Sequence, residues 1–584
     1  MTTDPVTTDP SNLAIAAAFD ELADLHELDG AIVHRVLAYR SAAKSAREAT
    51  VSVAALTRTG AVTSLPGIGK TLEQKLVALL QTGTIPAAAK LRARYPPGLL
   101  DMTRLPGLGP KRARRLFDEL GIDSLDKLRA AAEGQGLREI KGFGPKFEAT
   151  VLSALEAGIG ERPAQRVLLH RALNIGDAIV AELRAHPAAE RVELAGSARR
   201  QADSVKDLDI IATASDPGAL ARALGELDLI ESASAPNEHA ARGRTHTGLP
   251  VDLRVVEPEQ FGNLLQHFTG SQAHNVALRE AAVRRGLHVS EYGILDDETG
   301  ETLHCASEEE VYERLGLAYP EPELRENRGE LAPGFVAPRL ITLDDIRGDL
   351  HMHTIASDGH ATIEQMALAA RARGYEYVAI TDHSATHGFG NHVTPDQLER
   401  QIELIAEVNA RLDGIEVLAG TETNILPDGT PDYDDALLAR LDWVIGSVHT
   451  AFGMPADDLT QRMVAAIEHP WIDAIGHPTG RKIQSRAPYA IDMDKVIAAA
   501  ARSGTMLEIN AAPDRRDLDD VNARAAAQAG VLLLIDSDAH RVATLANMRW
   551  GVATARRAWL EPEHVANTRS WPEFAALRKR ARSR

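Results

Sequence analysis

The sequence of 584 residues contains one cysteine, Cys305. A single thiol excludes an internal disulfide framework and any thiolate-rich zinc module, so a metal would have to be held by His, Asp and Glu. Also missing is any run approaching about 18 consecutive apolar residues, the length of a membrane-spanning helix. The start, MTTDPVTTDPSN, has neither the basic nor the apolar region of a secretory signal, so the expected address is cytoplasmic, without a membrane partner. With 44% hydrophobic and 25% charged residues the composition indicates neither disorder nor a fibrous repeat. One core cannot serve a chain this long, and about three to five domains are expected.

The net charge of −19 argues against wholesale coating by nucleic acid, but it hides an asymmetry. Residues 31–150 hold 20 Lys plus Arg against 10 Asp plus Glu, a local +10 that matches the footprint expected of a phosphate-backbone partner. The same region reads as short helices with apolar positions three and four apart, and one pattern recurs in it: LPGIGK at 65–70, LPGLGPK at 105–111 and IKGFGPK at 140–146. A glycine before a helix is by itself a common cap. Three copies, each with a lysine, point instead to DNA backbone binding, because the free N–H groups at a helix start can hold a phosphate oxygen. They resemble helix-hairpin-helix motifs, which would grip DNA through Gly67, Gly69, Gly107, Gly109, Lys111, Gly142, Gly144 and Lys146.

From about 165 to 256 the pattern turns α/β, with strand-like runs RVELAG, DLDIIAT and VDLRVV. In VKDLDIIAT, Asp207 and Asp209 share one strand face while Leu208 and Ile210 take the other; in VDLRVV, Asp252 lies opposite Val251, Leu253 and Val255. Three carboxylates on neighbouring strands can hold two Mg²⁺ ions for phosphoryl transfer. Just upstream, GSARR supplies a Gly-Ser turn, Gly196 and Ser197, followed by arginines that can clamp a triphosphate.

Together these features resemble the nucleotidyltransferase signature of family X DNA polymerases. The similarity runs from about residue 10 to 318 in the order lyase-like domain, fingers, palm and thumb. It implies Mg²⁺ or Mn²⁺ at Asp207, Asp209 and Asp252, and a triphosphate on Ser197 and Arg200. The stretch HFTGSQAHNVALR, 267–279, looks like that family's dNTP pocket, with Phe268, Gly270, Asn275 and Arg279 in matching places. His267 departs from the family's tyrosine and leaves sugar discrimination open. Lys75 falls where the family carries a Schiff-base lysine for deoxyribose-phosphate removal, although Thr71 replaces a neighbouring lysine and Lys75 reads equally well as an exposed helix residue.

After the proline-rich, charged stretch 318–340, strand and helix alternate to residue 560, the pattern of a parallel β/α barrel. It opens on GDLHMHTIASDGH, thirteen positions with three histidines and two aspartates. His351 and His353, two apart on an extended chain, converge on one side. Further candidate ligands stand at the ends of the expected strands: His383, Glu422, His449, His477, Asp538 and His540, which with His351, His353 and Asp358 make nine. Barrel active sites form at those strand ends. This pattern resembles the PHP (polymerase and histidinol phosphatase) domain, which implies two or three Mn²⁺, Zn²⁺ or Fe ions hydrolysing a phosphoester. His360, His387, His392 and His469 read as surface or substrate-loop residues, and Arg481, just after the His477 turn, as a surface arginine in preference to a phosphate contact.

A polymerase palm joined to a PHP barrel is the layout of bacterial family X (PolX) proteins. The expected fold is multidomain α/β: a helical lyase-like domain with helix-hairpin-helix at 1–95, fingers with the same motifs at 96–160, palm at 161–256, thumb at 257–318, linker at 319–345 and PHP barrel at 346–584. The function implied is a DNA repair polymerase that adds dNTPs at short gaps, with 3′-5′ exonuclease activity in the barrel and abasic-site endonuclease or 3′-phosphatase activity beside it. The expected partners are gapped or primer-template DNA and dNTPs, and the expected state is a monomer. A PHP-type small-molecule phosphatase would leave the first 318 residues unexplained, and a non-catalytic DNA-end scaffold would have no need of intact metal ligands.

Overall fold

The structure, a computed structural model, describes residues 9–105, 107–156, 166–388 and 390–579. The boundary expected between 160 and 161 and the basic end of the chain, 580–584, lie outside the described residues. Two compact units are present: Met1–Val167 with Asn174–Leu194 and Lys206–Glu257, and Leu168–Leu173 with Ala195–Val205 and Pro258–Arg584. Among the described residues no helix is long and apolar enough to cross a membrane.

The first unit begins with short helices. Ser11 caps Asn12–Leu28, accepting from the N–H of Ala14 at 3.1 Å, and the helix buries Ile15, Phe19 and Leu22, one apolar stripe at helical spacing. Each glycine motif turns through a left-handed residue, with φ of +77° at Gly67, +78° at Gly107 and +94° at Gly142. Gly69 then caps Lys70–Thr82, Gly109 caps Pro110–Leu120, and Pro145–Glu156 follows Gly144. A five-stranded sheet follows, in the order 189–194, 208–214, 250–255, 240–245, 230–233. Its central pair, Leu208–Ala214 and Pro250–Val255, is parallel and sets Asp209 directly beside Asp252. Leu208, Ile210, Val251, Leu253 and Val255 are buried while both aspartates stay half-exposed, the alternation that a strand period of two demands.

The second unit joins a small α/β body to the barrel. Helices Phe261–Thr269, Gln272–Val283 and Glu308–Arg314 and a three-stranded antiparallel sheet surround Leu278, Ile294, Cys305, Val311 and Tyr312. The stretch expected as a linker has little regular structure, yet it is tightly held. Arg325 is fully buried, pairs with Glu308, donates to the carbonyl of Pro320 at 3.0 Å and lies 5.2 Å from the ring centres of both Tyr312 and Tyr319. Glu330 binds Nδ1 of His274 at 2.7 Å, whose Nε2 meets the Tyr312 hydroxyl at 2.8 Å. Burial opposes ionisation of Glu308, but Arg325 and Arg199 hold its carboxyl down to about 2.

Seven parallel strands then follow in sequence order: Gly348–Asp349, Tyr377–Ile380, Glu416–Asn424, Trp443–Ser447, Ala474–Ile475, Met506–Asn510 and Leu533–Asp536. A parallel bridge between Met352 and Ala539 brings the chain after the first strand against the chain after the last, nearly closing the barrel. Alternate residues separate into two layers. Val378, Ile380, Val444 and Ile535 pack with helix residues, whereas Tyr377, Leu418, Trp443, Ile445 and Leu534 cluster inside with Phe574 of the C-terminal helix Trp571–Ala575. Both faces are covered, which explains why these strands read as near-continuous apolar runs.

The Arg325–Glu308 pair yields a measurable expectation. Arg325→Met leaves a buried carboxylate short of a partner, so hydrogen exchange across residues 261–315 should speed up by an amount equal to about 3–5 kcal/mol of lost protection, and Glu308→Gln added to it should recover part of the loss. Unchanged protection in the single variant would show that the pair does not hold this body together.

Candidate functional sites

All nine residues expected at the barrel mouth converge there. His351 and His353 follow the first strand, His383 the second, His449 and His477 the fourth and fifth, and Asp538 and His540 the last, while Glu422 lies within the long third strand. Glu422 is the hub. Its carboxylate oxygens lie 2.8 Å from Nδ1 of His383, and 3.0, 3.2, 3.4 and 3.7 Å from Nε2 of His477, His449, His351 and His353. Asp538 is 3.1 Å from Nε2 of His353, and Asp358 is 3.3 Å from Nε2 of His540 and 3.7 Å from that of His383. Within this array three sets bring one ligand atom per residue within 4.8 Å of one another: His353, Asp358, His383 and His540; His351, His353 and Asp538; His383, Glu422 and His449.

The electrostatics follow from that crowding. Burial, with the neighbouring rings of His540 and His383, pushes His353 down to about 4, and burial with Arg515 takes His477 down to about 3. His540 goes the other way: against burial, its hydrogen bond to Asp358 and the charge of Asp538 raise it to about 9. Among the described residues the buried Nδ1 atoms of His353 and His477 meet no hydrogen-bond partner. Imidazoles that cannot all protonate, facing carboxylates held ionised, make a donor set that suits divalent metal ions, and the residues fit such ions. Backbone strain marks the same place, since His477 and Asp538 adopt left-handed φ of +28° and +51°, at a cost of about 1–3 kcal/mol each.

The structure adds residues that spacing did not reveal. Glu508, fully buried on the sixth strand, accepts from Nδ1 of His351 at 2.7 Å and from the backbone N–H of His477, so it turns Nε2 of His351 towards Glu422 and Asp538. Arg515 lies 3.9 Å from Asp538. Two expectations are corrected. Of the two readings of His387, the surface one is corrected: the residue is buried and stacked on His383, centroids 4.5 Å apart, with its Nδ1 tied to the carbonyl of Ser384 at 3.0 Å, a position beside the site that leaves the substrate-loop reading standing. Arg481 is not a surface arginine either; its side chain is 13% exposed, bonded to Asp203 at 2.8 Å and to the carbonyl of Arg516.

In the five-stranded sheet, Asp207 stands one residue before the strand that carries Asp209, and Asp252 is held by Arg254 at 2.9 Å and Arg242 at 3.2 Å. In the second unit, Gly196 and Ser197 open the short helix Gly196–Arg199. Arg200 is tied to Glu326 at 3.1 Å and to the carbonyl of Thr269, and a Cβ on Gly270 would come within 3.2 Å of its guanidinium. Arg199 bonds the Thr269 hydroxyl at 2.8 Å and Glu308 at 2.6 Å. Asn275 donates to the carbonyl of His267 at 2.7 Å and accepts from Gln266 at 2.9 Å, half-buried Phe268 lies beside His267 with centroids 5.5 Å apart, and Arg279 is exposed. Around Gly69, Gly107, Gly109, Gly142 and Gly144 a Cβ would meet nothing within 4 Å, so those turns are open to an approaching backbone. Lys111 and Lys146 lie in the first turns of the helices that follow. Lys75, half-buried, holds Nζ 5.7 Å from the Tyr39 ring centre.

Comparison with known proteins covers the same stretches. Family models match as a helix-hairpin-helix domain over 10–85, a SAM-like helix-hairpin-helix tandem over 99–157, a DNA polymerase beta thumb over 264–326 and a PHP domain over 349–512. A Bacillus subtilis protein named DNA polymerase/3′-5′ exonuclease PolX is 38% identical over 569 residues, 97% of this chain and 99% of that one. A probable phosphatase of Thermoanaerobacter sp. is 33% identical over 240 residues, 38% of this chain and 89% of its own length. One from Caldanaerobacter subterraneus is 35% identical over 204 residues, 33% of this chain and 75% of that one.

If Glu508 orients His351, then Glu508→Gln should weaken divalent-cation binding at the barrel about 10- to 100-fold while the fold persists. Calorimetric titration of the metal-free protein with Mn²⁺ measures this, and unchanged affinity would remove Glu508 from that role.

Proposed function

The chain belongs to the PolX family of DNA polymerase/3′-5′ exonucleases, and from that premise we propose how its residues divide the work. The protein is a DNA polymerase with a metal-dependent 3′-5′ exonuclease in its PHP domain. The observation that carries the assignment is that the chain builds two sets of candidate metal ligands, Asp209 beside Asp252 on adjacent strands and the nine-residue cluster of six histidines and three carboxylates at the barrel mouth.

In the palm, Asp207, Asp209 and Asp252 would hold Mg²⁺ or Mn²⁺, which when bound neutralises phosphate charge during nucleotidyl transfer. Asp252, oriented by Arg254, would take the proton from the primer 3′-OH as that oxygen attacks the dNTP α-phosphate and pyrophosphate leaves. Ser197 and Arg200 would hold the triphosphate, with Phe268, Gly270, Asn275 and Arg279 around the nucleotide. Because Asn275 and Arg200 already bond within the protein, nucleotide binding would exchange those contacts rather than meet free groups. The glycine turns at 67–69, 107–109 and 142–144, with Lys111 and Lys146, would seat DNA beside a short gap.

At the barrel, His351, His353, Asp358, His383, Glu422, His449, His477, Asp538 and His540 would hold two or three Mn²⁺, Zn²⁺ or Fe ions, which supply an activated water and neutralise the phosphodiester. Glu508 would fix the His351 ring, and Arg515 would offer its guanidinium to a phosphate oxygen. The likeness to probable phosphatases favours 3′-phosphatase activity at the same centre, with abasic-site endonuclease activity as a further use of it. Domain limits as read from the sequence, a monomeric state and a cytoplasmic place on the nucleoid complete the reading. Lys75 is the amine placed for a deoxyribose-phosphate lyase step; borohydride trapping of a 5′-deoxyribose-phosphate end that persists in Lys75→Ala would remove it from that role.

A denaturing gel of labelled one-nucleotide-gapped DNA with Mn²⁺, with and without dNTPs, tests the division of labour. Asp209→Ala should abolish extension and leave shortening intact, and His353→Ala should do the reverse. Loss of both activities in either variant, or of neither, would refute the assignment.

A further inference from the structure

The loops that carry His449 and His477 continue into a feature the metal chemistry does not use. Three residues after His449, Phe452 is 39% exposed, and its ring stacks on Tyr489 with centroids 5.6 Å apart and planes 11° from parallel. Tyr489 is only 8% exposed and is fixed twice, its hydroxyl donating to the carbonyl of Val448 at 3.0 Å and its N–H to that of Thr479 at 2.8 Å. Those anchors lie one residue from His449 and two from His477. Gly480 makes the fit possible: its φ is +59°, and a Cβ there would fall 1.8 Å from the Tyr489 ring. Arg486 completes the stack, with Cζ 5.0 Å from the Phe452 ring centre and Nε donating to the carbonyl of Gly480 at 2.7 Å.

A large ring left partly in water on a rigid, buried support is poor core packing and good recognition chemistry. Aromatic faces and guanidinium planes are the groups on which unpaired nucleobases stack. Beside Arg486 lies a hollow of about 500 Å³ whose charged lining is Arg481, Lys482 and Arg486 against Asp203, with Arg481 paired to Asp203 and Lys482 to Asp514, so a phosphodiester there would exchange with those carboxylates. Both loops leave the C-terminal ends of their strands, the end where the nine residues converge.

We infer that Phe452 and Arg486, seated on Tyr489, form a stacking subsite for the base of the unpaired 3′-terminal nucleotide whose phosphodiester the barrel cleaves. The inference rests on the exonuclease reading of that centre. Stacking tolerates every base, so the subsite would select single-stranded or frayed ends without selecting sequence.

The test compares degradation of two single-stranded oligonucleotides, one ending in a normal nucleotide and one in an abasic 3′ residue, by full-length wild type, Phe452→Ala, Phe452→Trp and His353→Ala. Phe452→Ala should raise KM for the normal end about 5- to 100-fold with kcat little changed. Phe452→Trp should restore it, and on the abasic end wild type and Phe452→Ala should be alike. Equal losses on both ends, or no change on either, overturn the subsite. Degradation that survives in His353→Ala overturns the exonuclease reading beneath it.

Discussion

A single carboxylate in contact with five imidazole rings is the constraint around which the barrel is arranged. Glu422 is fully buried, and burial alone would drive it neutral; the rings of His449, His351 and His383 instead hold it ionised, well below its ordinary range. Five rings can reach one side chain only if the strands bearing them end at the same height around a nearly closed cylinder. The Met352–Ala539 bridge and the bond from the His353 N–H to the Ala539 carbonyl therefore contribute to the site as directly as the ligands do. The apolar layers inside and outside the strands fix that height, and the two left-handed residues, His477 and Asp538, are where the backbone gives way to the geometry.

Most of this centre was legible in the sequence because its signal is local and periodic. H-x-H on extended chain, and His, Glu or Asp at the end of every apolar run but the sixth, follow from a period of two and from the direction of a parallel barrel. Glu508 was not legible: it occupies an apolar strand like its neighbours, and nothing in its spacing shows that it reaches His351, 157 positions away in the chain. The burial of His387 and Arg481 was not legible either. That of His387 depends on how its own loop folds back to stack it on His383, four residues away, and that of Arg481 depends on Asp203, 278 positions away in the chain.

The palm shows the same division. The alternation of Asp207, Leu208, Asp209 and Ile210 dictated which face the carboxylates would take, whereas the parallel register that sets Asp209 beside Asp252 is visible only in the structure. The ionic partners of the nucleotide-binding candidates came from far along the chain. Glu326, in a stretch whose prolines and charges suggested a linker, bonds Arg200 at 3.1 Å and Arg557 at 3.0 Å. Charged, aperiodic sequence says only that a segment forms no helix or strand; it does not say that the segment is loose. Glu323 with Arg556, Glu326 with Arg557 and Arg328 with Asp520 show this connector fastened to the barrel by one ion pair after another.

That fastening determines how substitutions at Arg200 must be read. If Arg200 holds a triphosphate, its removal takes away a ligand contact and also one of the two guanidinium partners of Glu326, and residues that share a partner do not contribute additively. A loss of polymerase activity in an Arg200 variant is therefore ambiguous by itself. Glu326→Gln separates the causes, because it releases Arg200 from the connector while leaving the guanidinium in place. Activity retained in Glu326→Gln and lost in Arg200→Ala belongs to the nucleotide, whereas equal loss in both belongs to the connector. The same logic applies wherever one carboxylate serves two elements of the fold, and at Glu422, which serves five side chains, only the symmetry of effects across its partners can reveal its individual role.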